Sequence, residues 1–306
     1  MFPPKSGTNG LENDLVGKPN FKMPEADVSW VSRKWLDIPY AAMSKTQKLD
    51  IFLPEEGDGP FPVILHIHGG GFELGDKRDI HLSAYLWGLK RGYAVISVNY
   101  RLSREAIFPA GLQDIKAAIK WIKANGHQYH ADGERIVVCG GSAGGNLSAM
   151  VCLTSEVKSL DDPYLGYPDI PCDVKAGVDM FGPTDFLKMD DQIAQNGLGK
   201  CDHNEAGSPE SHYLGGPIQE LSERAKQANP ITYIHKNMPP ILIQHGAKDH
   251  LVPVQQSMIF VDALKEHGCW DRFEFDLFET ADHADPQFET EENMNRVFNL
   301  LDKFLI

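Results

Sequence analysis

Two glycine-rich motifs stand out, each directly after an apolar run that is typical of a buried strand. The first is His68-Gly-Gly-Gly71 and the second is Gly140-Gly-Ser-Ala-Gly144. The second motif has the G-x-S-x-G spacing, in which small residues let the chain turn sharply from strand into helix and raise the serine hydroxyl above the sheet. Glycines such as those of the first motif let backbone N–H groups approach a developing oxyanion closely. Together the motifs predict acyl transfer to a serine.

Ser142 is the expected nucleophile of this chemistry. The N–H group of Ala143 is one expected oxyanion donor, because it opens a helix whose positive dipole end favours negative charge. The remaining donors are expected from residues 68–71, the glycine loop. Glycine-rich strand-to-helix turns also bind phosphates. Here, however, the phosphate-loop lysine and the G-x-G-x-x-G spacing are missing, which disfavours a nucleotide site.

A nucleophilic serine needs a base and an orienting acid, which follow it in chain order in loops after late strands. Of the 12 histidines, His283 is the one that follows the last predicted strand, 272–279. Asp249 follows the predicted strand 241–245 and is the preferred acid on strand order. Asp179 and Asp185 are its competitors, while Asp282 abuts the base and is badly placed to face its Nδ1.

Hydrophobic periodicity predicts strands that alternate with helices, which implies an α/β fold with an open, mostly parallel sheet covered by helices on both faces. Strands are expected at 48–53, 62–68, 93–100, 135–139, 174–181, 241–245 and 272–279, and helices at 111–126, from 143 onward, at 254–267 and at 291–304. Residues 1–30 read as an irregular arm and 31–306 as a single domain. Residues 185–220 interrupt this alternation of strands and helices and show little periodicity; they are called the insertion below. We expect the insertion to form a lid or pocket wall over the carboxyl edge of the sheet.

Composition narrows the choice of partners. A formal charge of −14 on 306 residues disfavours nucleic acids and anionic membranes, and no apolar stretch is long enough to span a bilayer. The first ten residues show no signal peptide, which favours a cytoplasmic protein, or a secreted one if a leader precedes this sequence.

The five cysteines are expected to be free thiols, although a disulfide between Cys172 and Cys201 is left open for an exported protein. His127 and His130 resemble a ligand pair, but no third ligand is evident, so no metal site is expected.

At this point the chain resembles the α/β-hydrolase esterases with an HGGG loop that are related to hormone-sensitive lipase. It is most similar to the bacterial carbohydrate esterases that include feruloyl and acetylxylan esterases. The resemblance runs from about residue 37 to the C-terminus through His66-Ile-His-Gly-Gly-Gly-Phe72, Gly140-Gly-Ser-Ala-Gly-Gly145, Ser208-Pro-Glu210, His245-Gly-Ala-Lys-Asp-His-Leu-Val-Pro253 and His283-Ala-Asp-Pro-Gln-Phe288, among other segments. It implies an α/β-hydrolase fold with a small lid or cap insertion.

The resemblance also implies roles for individual residues. The nucleophile falls on Ser142, the acid on Asp249, the base on His283, and the oxyanion donors on Gly70, Gly71 and Ala143. One departure is Ala284, since a glycine often follows the histidine in such sequences. The alanine is tolerable unless the loop requires a positive φ.

The resemblance further implies a carboxylic-ester substrate, with a short acyl or hydroxycinnamoyl group carried by a small molecule or a sugar, and no cofactor. Phe72, Phe181 and Tyr213 are candidate pocket residues, with a place in the core as the equal alternative for Phe181 and Tyr213. A general short-chain carboxylesterase, a serine peptidase of the prolyl-oligopeptidase type and a non-catalytic hydrolase-like binding protein are the alternatives. Formation of a homodimer is left open, because the sequence does not show whether the N-terminal arm covers the pocket or contacts a second subunit.

Overall fold

The computed structural model of the protein describes residues 23–305. Its central feature is one sheet in which long apolar segments form the inner strands. The strands are β1 (Lys34–Pro39), β2 (Lys48–Phe52), β3 (Phe61–Ile67), β4 (Ala94–Val98), β5 (Ala131–Gly141), β6 (Ala176–Met180), β7 (Ile241–Gly246) and β8 (Phe273–Phe278).

The strands lie in the order β1-β2-β4-β3-β5-β6-β7-β8. β1 and β2 pair in antiparallel fashion, as do β2 and β4, and the pairs from β4 through β3 to β8 are parallel. Every residue of β3 and of β4 is buried, as expected for parallel strands covered on both faces. The carboxyl ends of β3, β5, β6, β7 and β8 therefore share one edge, where the loops that follow them meet.

Helices cover both faces of this sheet. They are α1 (Leu82–Tyr85), α2 (Ala110–Asn125), α3 (Ala143–Thr154), α4 (Met189–Asn196), α5 (Pro209–Leu214), α6 (Ser222–Ala228), α7 (Gln255–Glu266) and α8 (Glu291–Leu305). Apolar side chains of α2, α3 and α7 belong to one buried cluster and those of α1 and α8 to another. This confirms the predicted α/β architecture of a mostly parallel sheet between two helical layers.

The insertion departs from the sequence prediction, which gave it little regular structure. It contains two short helices, α4 and α5. Ser208 caps α5 by accepting a hydrogen bond from the N–H of Ser211, with Pro209 in the first turn and Gly215 ending the helix at φ 84°. These signals were present in the sequence, but the helices are too short to show a periodicity.

Residues 1–22 of the predicted N-terminal arm lie outside the described residues. Residues 23–30 are irregular apart from a bridge between Glu25 and Asp79. The cysteines are free thiols, so Cys172 and Cys201 do not form the bridge that the sequence left open. Within residues 23–305 no helix has both the length and the apolar character needed to cross a membrane.

Candidate active site

Ser142 sits at the sharp turn between β5 and α3. Its backbone adopts φ 55° and ψ −123°, a strained conformation for a residue with a side chain, and its N–H donates to the carbonyl of Met180 at 2.9 Å. The turn passes so close to β3 that a Cβ on Gly140 would lie 2.5 Å from the carbonyl oxygen of Ile67, and a Cβ on Gly144 would overlap that same carbonyl. The small residues around Ser142 are therefore required by the turn that holds its hydroxyl above the sheet.

The structure brings the three predicted triad residues together. The Nε2 of His283 lies 3.0 Å from the Oγ of Ser142. The Nδ1 of the same ring lies 2.8 Å from Oδ2 of Asp249. A carboxylate accepts and does not donate, so Nδ1 carries the proton and Nε2 is left to accept the serine hydroxyl. This arrangement is the one that lets a histidine withdraw a proton from serine.

Asp249 is buried and held as an ionised carboxylate at the start of the loop Asp249–Val252, called the acid loop below. Its Oδ1 accepts the N–H groups of Leu251 at 3.0 Å and Val252 at 2.8 Å. Its Oδ2 also lies 3.3 Å from Nε2 of His245. Burial alone would raise the pKa of Asp249, but the charge of His283 and hydrogen bonds from His245 and His283 hold that pKa well below its ordinary range.

The competing carboxylates serve other partners. Asp179 accepts the N–H of Gly182 at 3.0 Å, and burial raises the pKa of Asp179 to about 6. Oδ1 of Asp185 accepts a hydrogen bond from Nδ2 of Asn229 at 2.9 Å. Asp282 pairs at 2.7 Å with Nδ1 of the neighbouring His250. None of the three meets the ring of His283 among these contacts, which leaves Asp249 as its carboxylate partner.

The three predicted oxyanion donors, Gly70, Gly71 and Ala143, line the same cavity as Ser142. Gly70 and Gly71 adopt φ 96° and φ 58°, which side chains rarely allow. Within residues 23–305, no carbonyl or side chain accepts a hydrogen bond from the N–H of Gly70, Gly71 or Ala143. Tyr100 steadies the loop, since its ring stacks on His68 at 4.5 Å and its hydroxyl donates to the carbonyl of His68. The three predicted donors are thus available for a ligand.

A cavity of about 810 Å³ opens at these groups and includes Ser142 and His283 in its wall. Phe72 and Phe181 line it, and Phe181 packs edge-on against the ring of His283 with centroids 4.9 Å apart. The prediction for Tyr213 is wrong, because this ring lies behind the wall. It stacks on Phe72 with centroids 3.9 Å apart, and it is buried. Tyr213 therefore supports Phe72 and does not line the cavity.

Residues 198–210 of the insertion form much of the remaining wall, together with His250 and Glu73. Sequence reasoning assigned no role to His203 or Glu210, which form an ion pair in this wall at 3.2 Å. It also missed His245, which contacts Asp249 from β7. Ser208-Pro-Glu210 and His245 stood within segments quoted for the family resemblance, but nothing in their spacing indicated which groups they would contact.

The order of the strands and the serine at the turn after β5 are those of an α/β-hydrolase fold. The BD-FAE family profile matches residues 49–264. Among solved structures, a bifunctional GH43-CE protein of Bacteroides eggerthii is 31% identical with a TM-score of 0.81, over 90% of this chain and 35% of that one. A truncated carbohydrate esterase from gut microbiota is 30% identical with a TM-score of 0.79, over 91% of this chain and 98% of that one.

Curated relatives agree with this assignment. A Mycobacterium tuberculosis protein named "Probable carboxylic ester hydrolase LipM" is 32% identical over 75% of this chain and 51% of its own length. The chain spans about half the length of the curated relatives it matches first. The chain belongs to the BD-FAE family, and it is related to the esterases that resemble hormone-sensitive lipase.

Proposed function

We propose that this protein is a serine carboxylesterase that works through an acyl-enzyme, with residues 31–306 acting as one catalytic domain. The observation that carries the proposal is the continuous hydrogen-bonded line from Ser142 through His283 to Asp249, at 3.0 Å and 2.8 Å, beside N–H groups without a protein acceptor. Structural packing alone would not leave a strained serine facing a cavity with a histidine aimed at its hydroxyl.

The reaction follows from these positions. Oγ of Ser142 attacks the ester carbonyl while its proton passes to Nε2 of His283, and the N–H groups of Gly70, Gly71 and Ala143 stabilise the oxyanion. The C–O bond to the alcohol then breaks, and the alcohol leaves with the proton held on Nε2. A water molecule attacks the acyl-enzyme, again giving its proton to Nε2, and Ser142 regains a proton as the carboxylic acid departs.

For the substrate, we propose short-acyl or hydroxycinnamoyl esters of carbohydrates. Two of the similar solved proteins carry carbohydrate-esterase names, and the cavity wall offers carboxylates that suit sugar hydroxyls, including Glu73, Asp202 and Glu205. A general short-chain carboxylesterase is the second candidate, because the curated relatives carry carboxylic ester hydrolase or esterase names without a sugar.

A substrate panel tests this proposal. Hydrolysis of p-nitrophenyl acetate, butyrate and octanoate is compared with that of methyl ferulate and acetylated xylo-oligosaccharide, with Ser142→Ala as the control. Release of ferulate or xylan-bound acetate at rates that rival the activated esters supports carbohydrate de-esterification. Turnover of activated short esters alone supports the general carboxylesterase. Absence of serine-dependent turnover on every ester contradicts both and favours a peptidase or a binding protein.

A further inference from the structure

Among residues 23–305, the groups that contact the ring of His203 in the insertion are two acceptors. Its Nε2 lies 2.9 Å from the carbonyl oxygen of Leu251, and its Nδ1 lies 3.2 Å from Oε1 of Glu210. Neither a carbonyl nor an ionised carboxylate can donate a proton to the ring. A neutral imidazole has one N–H and could satisfy only one of these partners. The hydrogen bond at Nε2 and the buried carboxylate beside Nδ1 together favour the doubly protonated imidazolium, which forms an ion pair with Glu210.

The charges around the buried ring agree with this protonation state. Burial opposes a charge on His203, but Glu210 and Asp190 outweigh burial and raise its pKa to about 9. Glu210 faces the ring from α5. Asp190 faces it from α4, where its carboxylate accepts the backbone N–H groups of His203 at 3.0 Å and Asn204 at 2.9 Å. From the acid loop the ring meets a carbonyl group. We therefore expect His203 to be a cation at neutral pH.

The Leu251 carbonyl belongs to the loop that orients the proposed catalytic acid. The N–H of Leu251 donates to Oδ1 of Asp249 at 3.0 Å, so one residue links the His203 bond to the carboxylate. On the inner side of the loop, Nε2 of His245 lies 2.9 Å from the carbonyl of Val252. Two histidines therefore hold successive carbonyls of the acid loop, His245 from β7 and His203 from the insertion.

We propose that His203 is a positioning residue whose imidazolium clamps the insertion to the acid loop and thereby keeps Asp249 aimed at His283. This inference rests on the proposed esterase function. When His203 loses a proton, the one remaining N–H favours the charged carboxylate of Glu210 over a neutral carbonyl, and the lone pair of Nε2 then faces the carbonyl oxygen of Leu251. The clamp should then loosen, and activity should fall on the alkaline side even though a neutral His283 is the active base.

The pH profile of Glu210→Gln tests the clamp. Glutamine can still accept the Nδ1 proton, so kcat near pH 7 should stay within a few-fold of wild type. Loss of the negative charge should lower the pH at which His203 deprotonates, and the alkaline fall in kcat should move down by at least about one pH unit. Glu220→Gln is the matched control, because it removes the same charge from an exposed position of the insertion and should leave the profile unchanged.

Histidine side-chain NMR titration supplies a second measurement that does not depend on turnover, with the His203→Gln variant used to assign the resonance. The clamp predicts a cationic His203 at pH 7. In Glu210→Gln, the pH at which His203 titrates and the pH at which kcat falls should both be lower than in wild type. The proposal is overturned if the ring of His203 is neutral at pH 7. It is also overturned if the titration of His203 shifts in Glu210→Gln while the alkaline fall in kcat does not.

If the wild type shows no serine-dependent turnover, the esterase function fails. The clamp is then judged by hydrogen exchange of the Leu251 and Val252 amides in wild type and Glu210→Gln at equal pH, and equal exchange rates contradict it.

Discussion

Nδ1 of His283 lies 2.8 Å from Oδ2 of Asp249, and both side chains are almost completely buried. A charged hydrogen bond shielded from water fixes the tautomer of the ring and stabilises the imidazolium that forms during turnover. The contact joins loops after β7 and β8, which are neighbours in the sheet. The position of the base is thus determined by strand order and by a carboxylate that stays ionised.

Replacement of Asp249 by Asn should leave the fold intact and lower kcat by roughly 10³–10⁴-fold, because an amide no longer enforces the tautomer that leaves Nε2 free to accept a proton. Steady-state kinetics on p-nitrophenyl acetate measures the loss. Asp282→Asn is the matched control. Its carboxylate contacts the ring and the N–H of His250 and the N–H of His283, but not the ring of His283, so the variant should lose far less activity. Comparable losses in the two variants would contradict the assignment of the acid.

Alanine at Gly70 should lower kcat by about 10²–10³-fold, the usual effect of losing an oxyanion donor. Gly70 has φ +96°, and an added Cβ would meet the carbonyl oxygen of Leu74 at 2.5 Å, so the loop must shift and carry its N–H away. Gly92→Ala is the control, since Gly92 has φ +83° but no atom within 4 Å of an added Cβ. The control should lose about 1 kcal/mol of stability and keep its activity. If Gly70→Ala kept the kcat of the wild type, the glycine loop would not be a source of oxyanion donors.

Ala284 occupies the position where similar sequences often have glycine, and the structure gives it φ +50°. The loop therefore does adopt the conformation that alanine tolerates poorly. Ala284→Gly should raise the free energy of unfolding by about 0.5–1 kcal/mol, since relief of the left-handed strain exceeds the added entropy of the unfolded chain. Urea denaturation measures the change. Ala263→Gly in α7 should instead lose about 1 kcal/mol, and a loss of that size at Ala284 would refute the strain argument.

The His203–Glu210 pair should also make stability depend on pH. The pKa of His203 is raised in the folded state to about 9, so its contribution is fully present below the ordinary histidine value and is lost as pH rises through about 9. The change amounts to at most about 3 kcal/mol. Urea unfolding at pH 6.5 and 9.5 should show this decline in wild type and a smaller one in Glu210→Gln. Equal declines would show that the pair does not stabilise the fold as a cation and an anion.

Much of the fold was predictable because its signals are local. Apolar runs followed by glycine turns predicted the strands 62–68 and 241–245, which the structure places at Phe61–Ile67 and Ile241–Gly246. Strand order in turn brought Ser142, Asp249 and His283 to one edge of the sheet. The structure shows that these three side chains lie close together, and their catalytic roles are still predictions.

The remaining features depend on contacts between distant parts of the chain. Whether Tyr213 lines the cavity depends on the ring of Phe72, which covers it. His203 owes its position to a backbone carbonyl at Leu251, 48 residues away, and a backbone acceptor leaves no trace in a sequence. Ala284 was recognised as unusual, but only the loop geometry shows that its φ is positive.

The most direct test of the account is the state of Ser142 during turnover. Ser142→Ala should lower kcat on p-nitrophenyl acetate by more than about 10⁴-fold while circular dichroism and thermal unfolding stay close to wild type. Intact-protein and peptide mass spectrometry after treatment with a fluorophosphonate should place a single adduct on Ser142 of the wild type and none on the variant. Near-wild-type hydrolysis by Ser142→Ala, or an adduct on another residue, would contradict the acyl-enzyme mechanism.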